Sequence, residues 1–201
     1  MSTSRLETFA DGVLAIAATL LILNVDAQIA HGDPLSRLQH AWPSYAAYVV
    51  SFLTIGIIWV NHHVLMTQVD HADRMFLFLN VLFLMCVSFI PFPTRLVAEH
   101  FRKVGAREAA LAYGGTLTSV AICFNLMWFY AAGRRRLLRA DMDAKTVSGI
   151  SRSYIFGPWT YLAITLVALA SPTTSIVLYG AYALFWVLES SLFARRGATR
   201  P

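Results

Sequence analysis

Acidic, histidine and asparagine side chains interrupt the apolar stretches of this 201-residue chain. Asp11 lies in the apolar segment that follows Arg5, and an ionisable residue at membrane depth usually faces a bundle interior or a wet cavity. Further polar side chains at a similar predicted depth are Asn61, His62, His63 and Asn80. Such a cluster predicts either an ion vestibule or a hydrogen-bonded clamp between helices, because polar groups buried in lipid must be satisfied in both cases.

The sequence lacks the helical metal-binding and catalytic patterns that its residue types could suggest. His62 and His63 are about 100° apart on a helix, whereas zinc-binding helices place two histidines at i and i+4. Cys86 and Cys123 lie in separate apolar runs and are typical of small packing residues. The chain has no Gly-x-Ser-x-Gly elbow and no phosphate-binding glycine loop. We therefore expect no enzyme, no metal site and no cofactor.

An apolar stripe follows Asp11 in the same segment. Ile16, Thr19, Leu20 and Leu23 fall at i, i+3, i+4 and i+7, which is one face of a helix. Several copies arranged around an axis would form a narrow apolar throat with Thr19 as its only hydroxyl. Almost every membrane helix has such a face for ordinary packing, so the spacing alone leaves both interpretations open.

Composition places these residues in membrane helices. The chain is 57% hydrophobic and 13% charged, and its uncharged runs reach the roughly 20 residues that cross about 30 Å of hydrocarbon. A polar break at Ser171 and Pro172 divides the last run, Pro91 and Pro93 are expected to kink or end the third span, and Pro158 is expected at a helix start or turn. We predict one all-α polytopic domain over residues 1–201, with six helices at about 6–26, 42–65, 74–98, 107–131, 152–170 and 173–193.

The distribution of basic residues predicts the orientation. Six spans place both termini on one side of the membrane, and eleven of the sixteen Lys and Arg residues fall on that side. The positive-inside rule makes it the cytoplasmic side. The run Arg134–Arg136 is interpreted in the same way, as a juxtamembrane cluster facing anionic lipid rather than nucleic acid.

The first span also carries a recognisable motif. Arg5-x-x-x-Phe9-Ala10-Asp11, continuing to Ile16 and Thr19, resembles the signature of the transmembrane protein 175 family, the endosomal and lysosomal potassium channels and their prokaryotic relatives. Similar stretches are Gly56-x-x-Trp59-x-Asn61-His62-His63, and Asn80 through Ser88-Phe-x-Pro91-Phe92-Pro93, so the motifs cover about the first 100 residues. Ala10 replaces the serine of the family pattern, which removes one hydroxyl from the first-span polar network.

The resemblance implies a homotetrameric, potassium-preferring cation channel in a prokaryotic plasma membrane, with K⁺ as the permeating ion and lipids as neighbours. Its pore would be lined by the first helix, with Ile16 at the narrowest point and Thr19, Leu20 and Leu23 along the same face. A structural polar network would set that helix against the next two, and its members would be Arg5, Phe9, Asp11, Asn61, His62, His63 and Asn80. The alternatives are a secondary transporter or proton-coupled carrier that uses Asp11 and a histidine, and a structural or signalling membrane subunit.

Overall fold

The computed structural model describes residues 3–25, 41–133 and 137–197, which form helices joined by short connections. The run at 134–136 lies outside these residues. A 3₁₀ segment, Leu21–Asn24, continues the first helix. The helices are α1 Thr3–Leu20, α2 Trp42–Gln68, α3 Arg74–Ser88, α4 Pro91–His100, α5 Ala106–Ala132, α6 Ala144–Ala170 and α7 Pro172–Gly197.

These helices have the lengths that membrane spans need. Five segments of the described chain are long and apolar enough to cross a bilayer, and α7 contributes a shorter apolar stretch, Pro172–Leu188. The five segments are Thr3–Leu23, Trp42–Gln68, Arg74–His100, Ala106–Ala132 and Ala144–Ala170. The all-α polytopic fold predicted from the sequence is confirmed.

Prolines and a serine break the helices where the sequence suggests. The third span divides at Phe89 and Ile90, and α4 starts with Pro91 in its first turn, where the missing N–H costs no hydrogen bond. A single residue, Ser171, separates α6 from α7, and its hydroxyl accepts a hydrogen bond from Thr174 N. Both expected breaks are therefore present.

The prediction for the start of α6 was wrong. This helix begins at Ala144 rather than near 152, because the Asp143 side chain caps it by accepting a hydrogen bond from Thr146 N. Pro158 consequently lies inside α6 rather than at a helix start. Membrane helices tolerate an internal proline when neighbouring groups compensate for the lost hydrogen bond.

Packing around α5 builds the subunit core. This helix contacts α3, α4, α6 and α7, and its Met127 and Trp128 side chains are fully buried. The first helix instead packs mainly on α2 and α3, at the edge of the bundle. The described part of the subunit therefore covers one side of α1 and leaves the other side exposed.

Candidate pore face and its polar supports

The two faces of α1 have opposite environments. Leu14 and Leu21 are 2% and 0% exposed, whereas Ile16, Leu20 and Leu23 are 60%, 42% and 74% exposed. All five side chains are apolar, so the difference in exposure does not arise from a polar face turned toward water. The predicted stripe does not serve as a packing face within the described part of the subunit.

Thr19 lies on the same exposed face, but its hydroxyl hydrogen is already used. Its Oγ1 donates to the carbonyl of Ile16, one helical turn below, at 2.9 Å. A hydroxyl that donates to its own backbone presents only oxygen lone pairs to its surroundings. Thr19 thus adds an acceptor to the apolar stripe.

Small residues form a strip beside Ile16. Gly12, Ala15 and Thr19 follow each other at i, i+3 and i+7, and all three are exposed. A Cβ atom placed on Gly12 would meet no atom within 4 Å. Packing inside the subunit therefore does not require glycine at this position.

Asp11 is held by an indole at the edge between α1 and α2. Trp59 Nε1 donates to Asp11 Oδ1 at 2.9 Å. The carboxylate lies five residues before Ile16, which is about 7.5 Å along the helix axis. Asp11 therefore supports the end of the stripe and does not lie within it.

A second contact joins the same two helices one turn away. His63 Nδ1 and Glu7 Oε1 are 2.7 Å apart, and the His63 ring stacks on the Trp59 ring with centroids 6.3 Å apart. Glu7 and Asp11 are four residues apart on α1, as are Trp59 and His63 on the antiparallel α2. The two pairs thus form a short ladder that fixes the rotation of α1.

His62 and Asn80 make a separate, fully buried contact between α2 and α3. His62 Nε2 lies 2.8 Å from Asn80 Oδ1, and the imidazole stacks on Phe83 with its ring plane tilted by 7°. His62 Nδ1 and Asn80 Nδ2 are buried without a hydrogen-bond partner in the described structure. This pair has the form of a clamp.

The predicted polar residues thus form separate pairs rather than one network. Asn61 Nδ2 donates to Ile57 O in its own helix at 3.0 Å, Phe9 is exposed, and Arg5 makes no ion pair with another described residue. Sequence reasoning missed Glu7 and Trp59 as partners, although the i, i+4 spacing on each helix was a usable signal.

The same geometry bears on the transporter alternative and on metal binding. The transporter alternative needs Asp11 beside a histidine, but its carboxylate accepts from an indole, and His63 instead contacts Glu7. In the part of the chain that the structure describes, no three His, Cys, Asp or Glu side chains are grouped to hold a metal ion.

Comparison with known proteins finds relatives that match nearly the whole chain. The family described as "Endosomal/lysosomal potassium channel TMEM175" matches residues 5–91. A potassium channel of Chamaesiphon minutus is 39% identical over 193 residues, which cover 94% of this chain and 95% of the relative. A potassium channel of Streptomyces collinus is 37% identical over 204 residues, with 99% and 98% covered.

A solved structure extends the match to three dimensions. The crystal structure of a lysosomal potassium-selective channel TMEM175 homologue from Chamaesiphon minutus superposes with a TM-score of 0.82 at 37% identity. The superposition covers 94% of this chain and 97% of that one. With the sequence match over nearly the whole length, this shows that the chain belongs to the TMEM175 family.

Proposed function

We propose that this protein is a potassium-preferring cation channel, formed by a homotetramer whose pore is lined by α1 and is narrowest at Ile16. The observation that carries the proposal is the bare apolar face of α1, on which Ile16 is 60% exposed. Relatives that share nearly the full length of the chain are potassium channels. A face that the described residues of the subunit do not cover is available to line a shared axis.

The small residues next to this face favour contact between copies of α1. Helices approach closely in membranes where glycine, alanine, serine and threonine line their interface. Gly12 and Ala15 are exposed beside Ile16, and the described subunit places no atom within 4 Å of a Cβ on Gly12. Packing of α1 against its symmetry mates accounts for both residues.

An isoleucine ring selects by dehydration rather than by coordination. The sequence has no Thr-Val-Gly-Tyr-Gly carbonyl filter, so a cation passing the ring must lose part of its water shell without replacement oxygens. K⁺ holds its water less tightly than Na⁺ and passes more readily. Thr19 lies three residues above Ile16, about 4.5 Å, and its oxygen lone pairs favour a cation over an anion.

The polar pairs give the pore helix its orientation. The Asp11–Trp59 and Glu7–His63 contacts hold α1 against α2 on its exposed edge, so the apolar stripe stays turned away from the subunit. Asp11 then acts as a structural anchor below the constriction and not as an ion-binding site.

We also propose the domain organisation, orientation and membrane of the channel. Each subunit is one six-span domain over residues 1–201, both termini lie in the cytoplasm, and the channel functions in a prokaryotic plasma membrane. The relatives from Chamaesiphon minutus and Streptomyces collinus, which match nearly the whole chain, support the prokaryotic origin, and the distribution of basic residues supports the orientation. The channel needs no cofactor, catalyses no reaction and binds no nucleic acid.

Flux through purified protein tests the assignment of the pore. Protein in potassium-loaded vesicles should release K⁺ down its gradient, and Ile16→Asn should increase the flux and reduce the preference for K⁺ over Na⁺. Ile122→Asn is the matched control, because Ile122 is also an exposed isoleucine in a membrane helix, α5. Equal effects of the two variants, or no flux in well-incorporated vesicles, would contradict the proposal.

A further inference from the structure

An apolar cleft opens at the end of the bundle opposite to Asp11, between the first turns of α2, α5 and α7 and the end of α4. Its volume is about 240 Å³. Most of the lining side chains are apolar, and they include Pro43, Ala46, Val50, Val97 and Ile176. The cleft is distinct from the exposed face of α1, and the proposed function makes no use of it.

Hydroxyl groups at the floor of the cleft satisfy each other. Ser51 Oγ lies 2.9 Å from Thr94 Oγ1 and 3.1 Å from Tyr113 OH, and all three side chains are buried. Thr94 also donates to the carbonyl of Ile90 at 2.9 Å. Because these groups already have partners, the floor does not need a polar ligand group.

The mouth of the cleft carries a positive charge. Arg102 lines the cleft, is exposed and makes no ion pair with another described residue. Its guanidinium lies over the ring of Phe101, 5.4 Å from the centroid, and Trp42 packs edge-on against the same ring. The backbone of Arg102 has a φ of 57°, a left-handed conformation that is uncommon for residues other than glycine. The Arg102 guanidinium is thus held at the mouth of the cleft.

We propose that this cleft binds an anionic phospholipid, with an acyl chain between the helices and the phosphate against Arg102. The layout matches an amphipathic ligand, since the interior is apolar and the charge lies at the mouth. Arg is well suited to phosphate oxygens, and Trp42 has the interfacial position that tryptophan favours. From Trp42 to Ser51 the cleft follows α2 for nine residues, about 13 Å, so the chain enters along the helix.

Native mass spectrometry of the intact protein in mild detergent tests the site. The probes are phosphatidylglycerol and phosphatidylcholine with identical acyl chains, added in equal amounts. Wild-type protein should retain phosphatidylglycerol about fivefold better, as expected for one basic side chain at an anionic lipid. Equal retention of the two lipids would overturn the proposal.

Two pairs of variants separate this site from general lipid contact. Arg102→Gln should abolish the preference for phosphatidylglycerol, whereas Lys103→Gln, whose side chain does not line the cleft, should keep it. Ala46→Phe fills the cleft and should remove the tightly retained lipid, while Val49→Phe on the neighbouring exposed face of α2 should not. All four variants must elute and melt like wild type.

Two results from these variants would overturn the proposal. Equal loss in Lys103→Gln and Arg102→Gln would show diffuse electrostatic attraction and overturn the site. Unchanged retention in folded Ala46→Phe protein would show that the acyl chain does not occupy the cleft.

Discussion

Replacing both His62 and Asn80 by leucine should destabilise the protein less than replacing either one alone. The two side chains are fully buried between α2 and α3 and share one hydrogen bond of 2.8 Å. A buried polar group whose partner is removed keeps its full desolvation cost, whereas removing both partners is close to neutral. The prediction follows from the clamp interpretation of this pair.

The expected losses of stability follow from the buried polar atoms that each substitution leaves without a partner. His62→Leu leaves the whole Asn80 amide without a partner, which costs about 1–3 kcal/mol, and the lost stacking on Phe83 adds about 0.5–1 kcal/mol. Asn80→Leu leaves both imidazole nitrogens unpaired, at a similar cost of about 1–3 kcal/mol. The double variant also removes His62 Nδ1 and Asn80 Nδ2, which are already unpaired, so it should lie within about 1 kcal/mol of wild type.

Denaturant unfolding in mild detergent, followed by loss of helical circular dichroism, measures these differences. His62→Leu combined with Ser88→Leu is the control cycle, because Ser88 lies eight residues beyond Asn80, about 12 Å along the axis. The control effects should add, whereas those at His62 and Asn80 should not. Additive effects at His62 and Asn80 would refute the reasoning, as would loss of K⁺ flux in the stable double variant.

Three further predictions follow from close contacts elsewhere in the subunit. Gly114→Ala should lower the melting temperature by several degrees, because its Cβ would lie 2.5 Å from hydroxyl oxygens of α6 and α7, whereas Gly115→Ala, with open space, should not. The Cys86 and Cys123 sulfurs are 3.8 Å apart, so molecular oxygen with a copper catalyst should oxidise both thiols to a disulfide within one subunit, seen as a loss of about two mass units. Trp59→Phe removes the indole donor at the first-helix carboxylate and should lower both stability and K⁺ flux, while unchanged flux would argue against its orienting role.

The sequence predicted element types well because the apolar runs and their breaks are local features. Ser171 and Pro91 break the chain where a missing donor or a polar residue predicts it. The start of α6 was missed because residues 132–151 were interpreted as a polar connection, while the deciding feature is the cap formed by Asp143. Charge near a membrane surface is compatible with a helix that continues beyond the lipid.

Pairing between side chains could be predicted only in part. The sequence places Asp11 and His63 near one membrane level, but depth does not specify rotation, and rotation decides that Asp11 meets Trp59 and His63 meets Glu7. Asn61 was grouped with its neighbours for the same reason, yet it bonds to its own helix. The sequence alone could not predict that this face of α1 is exposed, because an apolar stripe has the same sequence pattern whether it is covered or bare.

Determining the assembled structure in a lipid nanodisc tests the central claim most directly. The measured quantity is the distance of each helix and of the Ile16 side chain from the symmetry axis. We predict four copies around one axis, with α1 innermost and Ile16 at the narrowest point. An assembly without four-fold symmetry, or one in which the bare face of α1 contacts lipid, would contradict the account.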